Sequence, residues 1–152
     1  MDKEERNEAA EFWKEKETAY GGELRYRSFA RYLGSTAAGS RELSGLLFLV
    51  NDLLVFEDFE REAGMFGFLV KKKKTAYQKT VLEMSAPEIR EIRQIAQGTA
   101  SARMAGAPGP SKPLSGFMKF FSVVVYELNM NNGDSFYFEI LDKGSLIQAL
   151  EK

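Results

Sequence analysis

The chain has 152 residues, 44% hydrophobic and 28% charged, with a formal net charge of −1. That length suits one domain able to bury a core without staples. The balanced charge leaves no global field to favour nucleic acid or a membrane. With neither Cys nor His, the chain has no disulfide framework, thiolate nucleophile or Cys-based zinc site, and lacks the commonest general base.

The N-terminal stretch Met1–Glu8 is acidic and has no apolar core, so it reads as neither signal nor transit peptide. Residues 2–20 are predicted to form a helix rich in Glu, Lys, Ala and Arg, with its acids early, where the helix dipole favours them. Its thin apolar content, chiefly Ala9, Phe12, Trp13 and Tyr20, is expected to dock one aromatic corner onto the domain. Gly21-Gly22 ends it. Glu23–Leu33 then reads as a strand, with Leu24, Tyr26 and Ser28 on one face and Arg25, Arg27, Phe29 and Arg31 on the other. After a small-residue loop, two apolar runs flank Asn51-Asp52. Both residues tolerate the positive φ of a two-residue type I′ turn, which makes a β-hairpin. Its second arm ends in the acidic run from Glu57 to Glu62, a solvated turn rather than a cation site, since it lacks the spacing and glycine of a calcium loop.

Further strands are predicted over Phe66–Lys72 and Tyr77–Met84. Ser85-Ala-Pro-Glu88 matches a capping box that would open a helix holding Ile89, Ile92 and Ile95. The same residues also suit a turn followed by a strand from Arg90 to Ile95. Residues 97–116 carry four Gly and three Pro, a composition expected to form a flexible loop without regular structure. Phe117–Asn129 reads as a long strand, and Phe117, Phe120, Phe121, Tyr126, Phe136 and Phe138 read as core. Asn131-Asn132-Gly133-Asp134 supplies a second hairpin turn, and Asp142–Lys152 a closing helix with Leu146, Ile147 and Leu150 on one face.

The segment Ser44-Gly-Leu-Leu-Phe-Leu-Val-Asn-Asp-Leu-Leu-Val-Phe56 resembles the pattern of GRAM and pleckstrin-homology-like (PH-like) domains. Thr80-Val-Leu-Glu-Met-Ser-Ala-Pro-Glu-Ile-Arg-Glu-Ile92 is similar to the family's strand, proline turn and following strand, which favours strand over helix after Pro87. The last hairpin and helix look like its closing elements. The resemblance spans residues 22–152 and leaves the N-terminal helix outside. It implies a mainly β, seven-stranded, partly open barrel of two antiparallel sheets, capped by the C-terminal helix.

Two basic groups are candidate ligand sites. Lys71, Lys72, Lys73 and Lys74, with Lys79, lie in a window with no acid between Glu62 and Glu83. Such a run attracts anionic headgroups, or equally guards a strand edge. Arg25, Arg27, Arg31 and Arg41 flank the loop between the first two strands, where members of the resembled family that bind phosphoinositides hold phosphate; the loop itself has no Lys or Arg. Arg27-x-x-x-Arg31 also resembles the arginine motif of PilZ cyclic-dinucleotide receptors, whose second motif this chain lacks. No nucleophile–base pair assembles. The expectation is therefore a non-enzymatic, cytoplasmic binding or adaptor domain without cofactor or metal. It takes a protein or peptide at a strand edge or beside the C-terminal helix; the alternative is peripheral binding to anionic phospholipid through the basic residues. Nucleic acid is not expected.

Overall fold

A computed structural model describes residues 3–59 and 79–151. Among these, helix α1 (Lys3–Tyr20) precedes strands β1 (Leu24–Ser35), β2 (Gly39–Val50), β3 (Leu53–Asp58), β4 (Val81–Ser85) and β5 (Ile89–Ala96). Helix α2 (Gln97–Met104), strands β6 (Val124–Met130) and β7 (Ser135–Ile140) and helix α3 (Lys143–Glu151) complete the chain. The predicted strand at Phe66–Lys72 and the lysines Lys71–Lys74 fall outside the described residues. Residues 89–96 form a strand, the alternative that the proline turn favoured.

All seven strands hydrogen-bond antiparallel in the order β4-β3-β2-β1-β7-β6-β5, one curled half-barrel sheet where two sheets were expected. The join is β1. It pairs with β2 along its length and, over Ala30–Ser35, with β7 as well. A bulge between Tyr32 and Gly34 interrupts both ladders. Gly34 sits there at φ +135°, and a Cβ on it would lie 2.2 Å from the Gly39 carbonyl oxygen and 2.7 Å from the Met104 sulfur. Glycine is required for that backbone and for the close approach of α2. In the β2–β3 turn Asn51 takes positive φ (51°) while Asp52 does not, so the hairpin forms without the double left-handed turn of type I′.

The inner face of the sheet holds the main core. Tyr32, Phe56 and Phe138 meet with ring centroids 5.3–5.9 Å apart, and Leu146 of α3 is fully buried among the inward side chains. Two smaller clusters cover the outer face. Under α1, Trp13 and Tyr20 pack on Phe48, Val50 and Val55. Under α2, Ala100 and Met104 pack on Leu33, Ile95, Val125 and Tyr137. Residues 97–104 are thus helical where a loop was expected, because burial of Ala100 against the sheet outweighs the local cost of Gly98. Phe117–Val123 is not strand either. Ser115 accepts from the backbone N–H groups of Met118 and Lys119 and bends the chain into a 3₁₀ turn over Met118–Phe120. Phe117, Phe120 and Phe121, expected in the core, are consequently exposed.

An ion pair locks α1 to the sheet. Lys16 Nζ lies 2.7 Å from both carboxylate oxygens of Glu57, and Lys79 Nζ lies 3.2 Å from one of them. Burial pushes the Glu57 carboxyl up, but hydrogen bonds and charge from the two lysines outweigh it, and the group lies below the ordinary 4.5. A depressed carboxylate contributes stability above its unfolded pKa and loses it as pH falls through the lower folded value. Acidification below pH 4.5 is therefore expected to undock α1, seen as a red shift of Trp13, the single tryptophan. Lys16→Met should move that transition to higher pH, because burial then acts against one lysine instead of two. An unchanged midpoint in the variant would show that the pair does not hold the helix.

Candidate functional site

The four predicted arginines lie at or beside β1, but each is engaged in the fold. Arg25 donates to the Asn51 carbonyl at 2.8 Å and to the Ala149 carbonyl, tying the β2–β3 turn to the end of α3. Arg27 stacks 5.3 Å over the Trp13 ring, a cation–π contact that helps seat α1. Arg31 pairs with Glu139 and lies 3.6 Å from Glu42, contacts that raise its pKa. Arg41 donates to Thr80 Oγ1 at 3.2 Å. From Arg25 to Arg31 the strand runs about 20 Å at roughly 3.3 Å per residue, too far for one phosphate group. These arginines do not converge on a common point. Of the acidic run, Glu57 belongs to the α1 ion pair, while Glu60 and Glu62 lie outside the described residues. No group of acidic residues among the described residues is arranged to hold a metal ion.

A different place combines an open edge with a cleft. The sheet ends at β5, which no described strand pairs on its far side. At the C-terminal end of this edge the chain has come back on itself: Leu114 N–H donates to the Gln94 carbonyl at 2.8 Å, and Arg93 donates to the Ser111 carbonyl at 2.6 Å. Backbone groups alternate sides along a strand. The outward direction of the Gln94 carbonyl therefore puts the amide and carbonyl of Ile92 on the same outer edge. There, beside α3, opens a groove of about 310 Å³. Ile89 and Ile92 form one wall, Ile147 and Leu150 the other, with Arg90 and Glu151 on the rim.

Sequence reasoning named the strand edge and the C-terminal helix but not β5, Ile89 or Ile147. The signal available was the Ile-x-x-Ile spacing of the strand after Pro87. Along that strand Ile95 is fully buried, while Ile89 and Ile92 are only partly buried at the edge of the core.

A second, larger concavity of about 530 Å³ opens on the sheet between β2 and β6, lined by Phe29, Phe59, Val123 and Leu141 with the Arg31–Glu139 pair. Phe29, Val123 and Leu141 are all well exposed. No helix among the described residues is long and apolar enough to cross a membrane.

No protein-family model matches the sequence, and no curated protein does. One solved structure, the C-terminal domain of an unknown protein from Leishmania infantum, is similar with a TM-score of 0.52 at 15% identity, over 95% of this chain and 98% of that one. At that identity the likeness concerns the fold alone.

Proposed function

We propose that this chain is a non-catalytic PH-like binding module that takes an extended segment of a partner protein along the open edge of β5, against α3. The observation that carries the reading is the coincidence of a free strand edge with an aliphatic cleft beside the C-terminal helix. An added strand would gain main-chain hydrogen bonds from the edge at Ile92, and its inward side chains would enter the groove between Ile92 and Ile147. The PH-like part of the reading is supported by the long first strand shared between β2 and β7, and by a closing helix that buries Leu146 in the mouth of the half-barrel. The N-terminal helix is engaged on the outer face, which leaves the groove to the C-terminal helix.

Selection of peptides from a random displayed library on the immobilised chain tests this. Bound peptides are expected to shift the backbone amide resonances of residues 90–92 and 147–150. Ile147→Glu should weaken them at least tenfold, a loss of about 1.4 kcal/mol, with the melting temperature unchanged because Ile147 is only half-buried. Peptides that shift other parts of the sheet, or that bind the variant equally well, would remove the groove from consideration.

A further inference from the structure

The aromatic turn between α2 and β6 has no role in that reading. Phe117 is 70% exposed, Phe120 85% and Phe121 74%, with Met118 also exposed between them. The turn is ordered: Phe120 and Phe121 donate to the carbonyls of Phe117 and Met118, at 3.2 and 3.1 Å. The rings of Phe117 and Phe121 pack on one another with centroids 5.2 Å apart. A single helical turn therefore presents three phenylalanines together, and the core takes none of them. Val123, just beyond, carries the apolar surface into the concavity beside Phe29 and Leu141.

The charge of the segment that carries the turn is of one sign, although Glu139, paired with Arg31, lines the neighbouring concavity. No carboxylate occurs in sequence between Glu91 and Glu127. Two of the four cations in that interval are held by the fold: Arg93 pairs with Glu91, and Arg103 lies beside Glu127. Lys112 and Lys119 are left exposed on the surface, Lys119 within the turn itself.

We propose that the Phe117–Phe121 turn inserts into the interfacial region of an anionic lipid bilayer, with Lys112 and Lys119 at the level of the headgroups. A turn whose rings stand 70–85% exposed would need a deep matching cavity in a protein partner. A fluid apolar phase needs none. Phenylalanine fills the acyl boundary while lysine extends its ammonium back to the phosphates; the segment itself adds no carboxylate to repel acidic lipid, and the nearby Glu139 is neutralised by Arg31. This contact is carried by apolar insertion, with charge as an accessory, and it shares no residue with the β5–α3 groove.

The full chain is sedimented with phosphatidylcholine vesicles, with and without phosphatidylserine, across a salt series. Binding is expected to be strengthened by phosphatidylserine and to survive moderate salt in part, because insertion is not screened. Replacing Phe117, Phe120 and Phe121 together by Ser should weaken partitioning by about 1,000-fold or more, since each buried ring is worth tenfold or above. The melting temperature should be unchanged. Lys112→Gln with Lys119→Gln should weaken it by about tenfold or more and flatten its salt dependence. In a Phe120→Trp variant the new indole should shift to the blue on binding and be quenched by brominated lipid. Absence of binding to anionic vesicles at low salt would overturn the proposal, as would equal binding by the triple-serine variant or binding without a Phe120→Trp response. So would a fall in oligomeric state of the triple-serine variant without lipid, which would make the turn a self-association face.

Discussion

Glu127→Ala is expected to destabilise the fold by about 3–5 kcal/mol, the cost of removing one member of a buried charged network. Glu127 is 1% exposed. Its carboxylate accepts from Ser111 Oγ, from Tyr137 Oη at 2.8 Å and from Asn129 Nδ2 at 3.0 Å, and Arg103 Nε lies 4.0 Å away. Truncation leaves these donors without an acceptor and the half-buried guanidinium without its counter-charge. Urea denaturation reads the loss. Hydrogen exchange reads its location, because the network anchors the Gly- and Pro-rich segment through Ser111, and the Leu114 amide, bonded to Gln94, should lose protection first. Glu127→Gln keeps an acceptor and should lose less. Tyr137 offers a further readout: burial, followed by the hydrogen bond and charge of Glu127, pushes its phenol up to about 12. That value should fall in the alanine variant. A change in stability below about 0.5 kcal/mol, the range of ordinary surface substitutions, would mean that the segment is held by other contacts.

The second large effect concerns α3. Leu146 is fully buried and packs against side chains from the inner faces of the strands, so Leu146→Ala should cost roughly 2–5 kcal/mol. A fragment ending at residue 144 should fail to melt cooperatively. Arg25 reinforces the helix from outside by donating to the Ala149 carbonyl, one of the terminal carbonyls a helix leaves without internal partners. A soluble, cooperatively melting 1–144 fragment would show that the half-barrel closes without its helix. The groove beside β5 would then lose its second wall without loss of the fold, and peptide binding could be measured on the sheet alone.

Those two experiments bear on the functional surfaces in different ways. The Glu127 network holds residues 105–116 across the far half of the β5 edge, and thereby leaves only the half near α3 open. Loosening that network should lengthen the exposed edge. Loss of α3 removes the cleft. The proposed peptide contact depends on both, whereas the aromatic turn depends on neither wall of the groove.

Much of the sheet was legible in the residues because short-range chemistry and alternation agree there. Asn51-Asp52 and Asn131–Asp134 both reverse the chain, with Gly133 at φ +96° as an Asn-Gly turn requires. From Tyr26 to Arg31 the faces of β1 follow period-two spacing, with Tyr26 and Ser28 buried and Arg27 and Phe29 exposed, but a register shift puts Leu24 in the outer cluster under α1, against the predicted face. The residues of the proposed groove were not legible. Four arginines flanking the loop between the first two strands suggested a common anion site, but each found its own partner in α1, α3, β7 or the segment before β4. Local sequence says which way a side chain points and nothing about which distant group waits there.

The region from 97 to 123 divides the two kinds of information most clearly. Composition alone argued for a structureless loop followed by an aromatic strand, since Gly and Pro weaken regular elements and Phe and Val favour extension. The structure reversed both: Ala100 and Met104 found an apolar patch of the sheet and Ser111 a buried carboxylate far along the chain, while a local hydrogen bond to Ser115 turned the chain before the phenylalanines could pair. By itself the sequence determined a mainly β domain with two tight hairpins, flanking helices and no thiol or imidazole chemistry, because turn preference and alternation act between neighbours. The tertiary structure alone decided that the strands join through β1 into one sheet, that β5 keeps an open edge beside α3, and that three phenylalanines face outward. The first two rest on burial and hydrogen bonds between residues far apart in the chain, which no local pattern encodes; the third combines the local Ser115 turn with the absence of a core position for the rings.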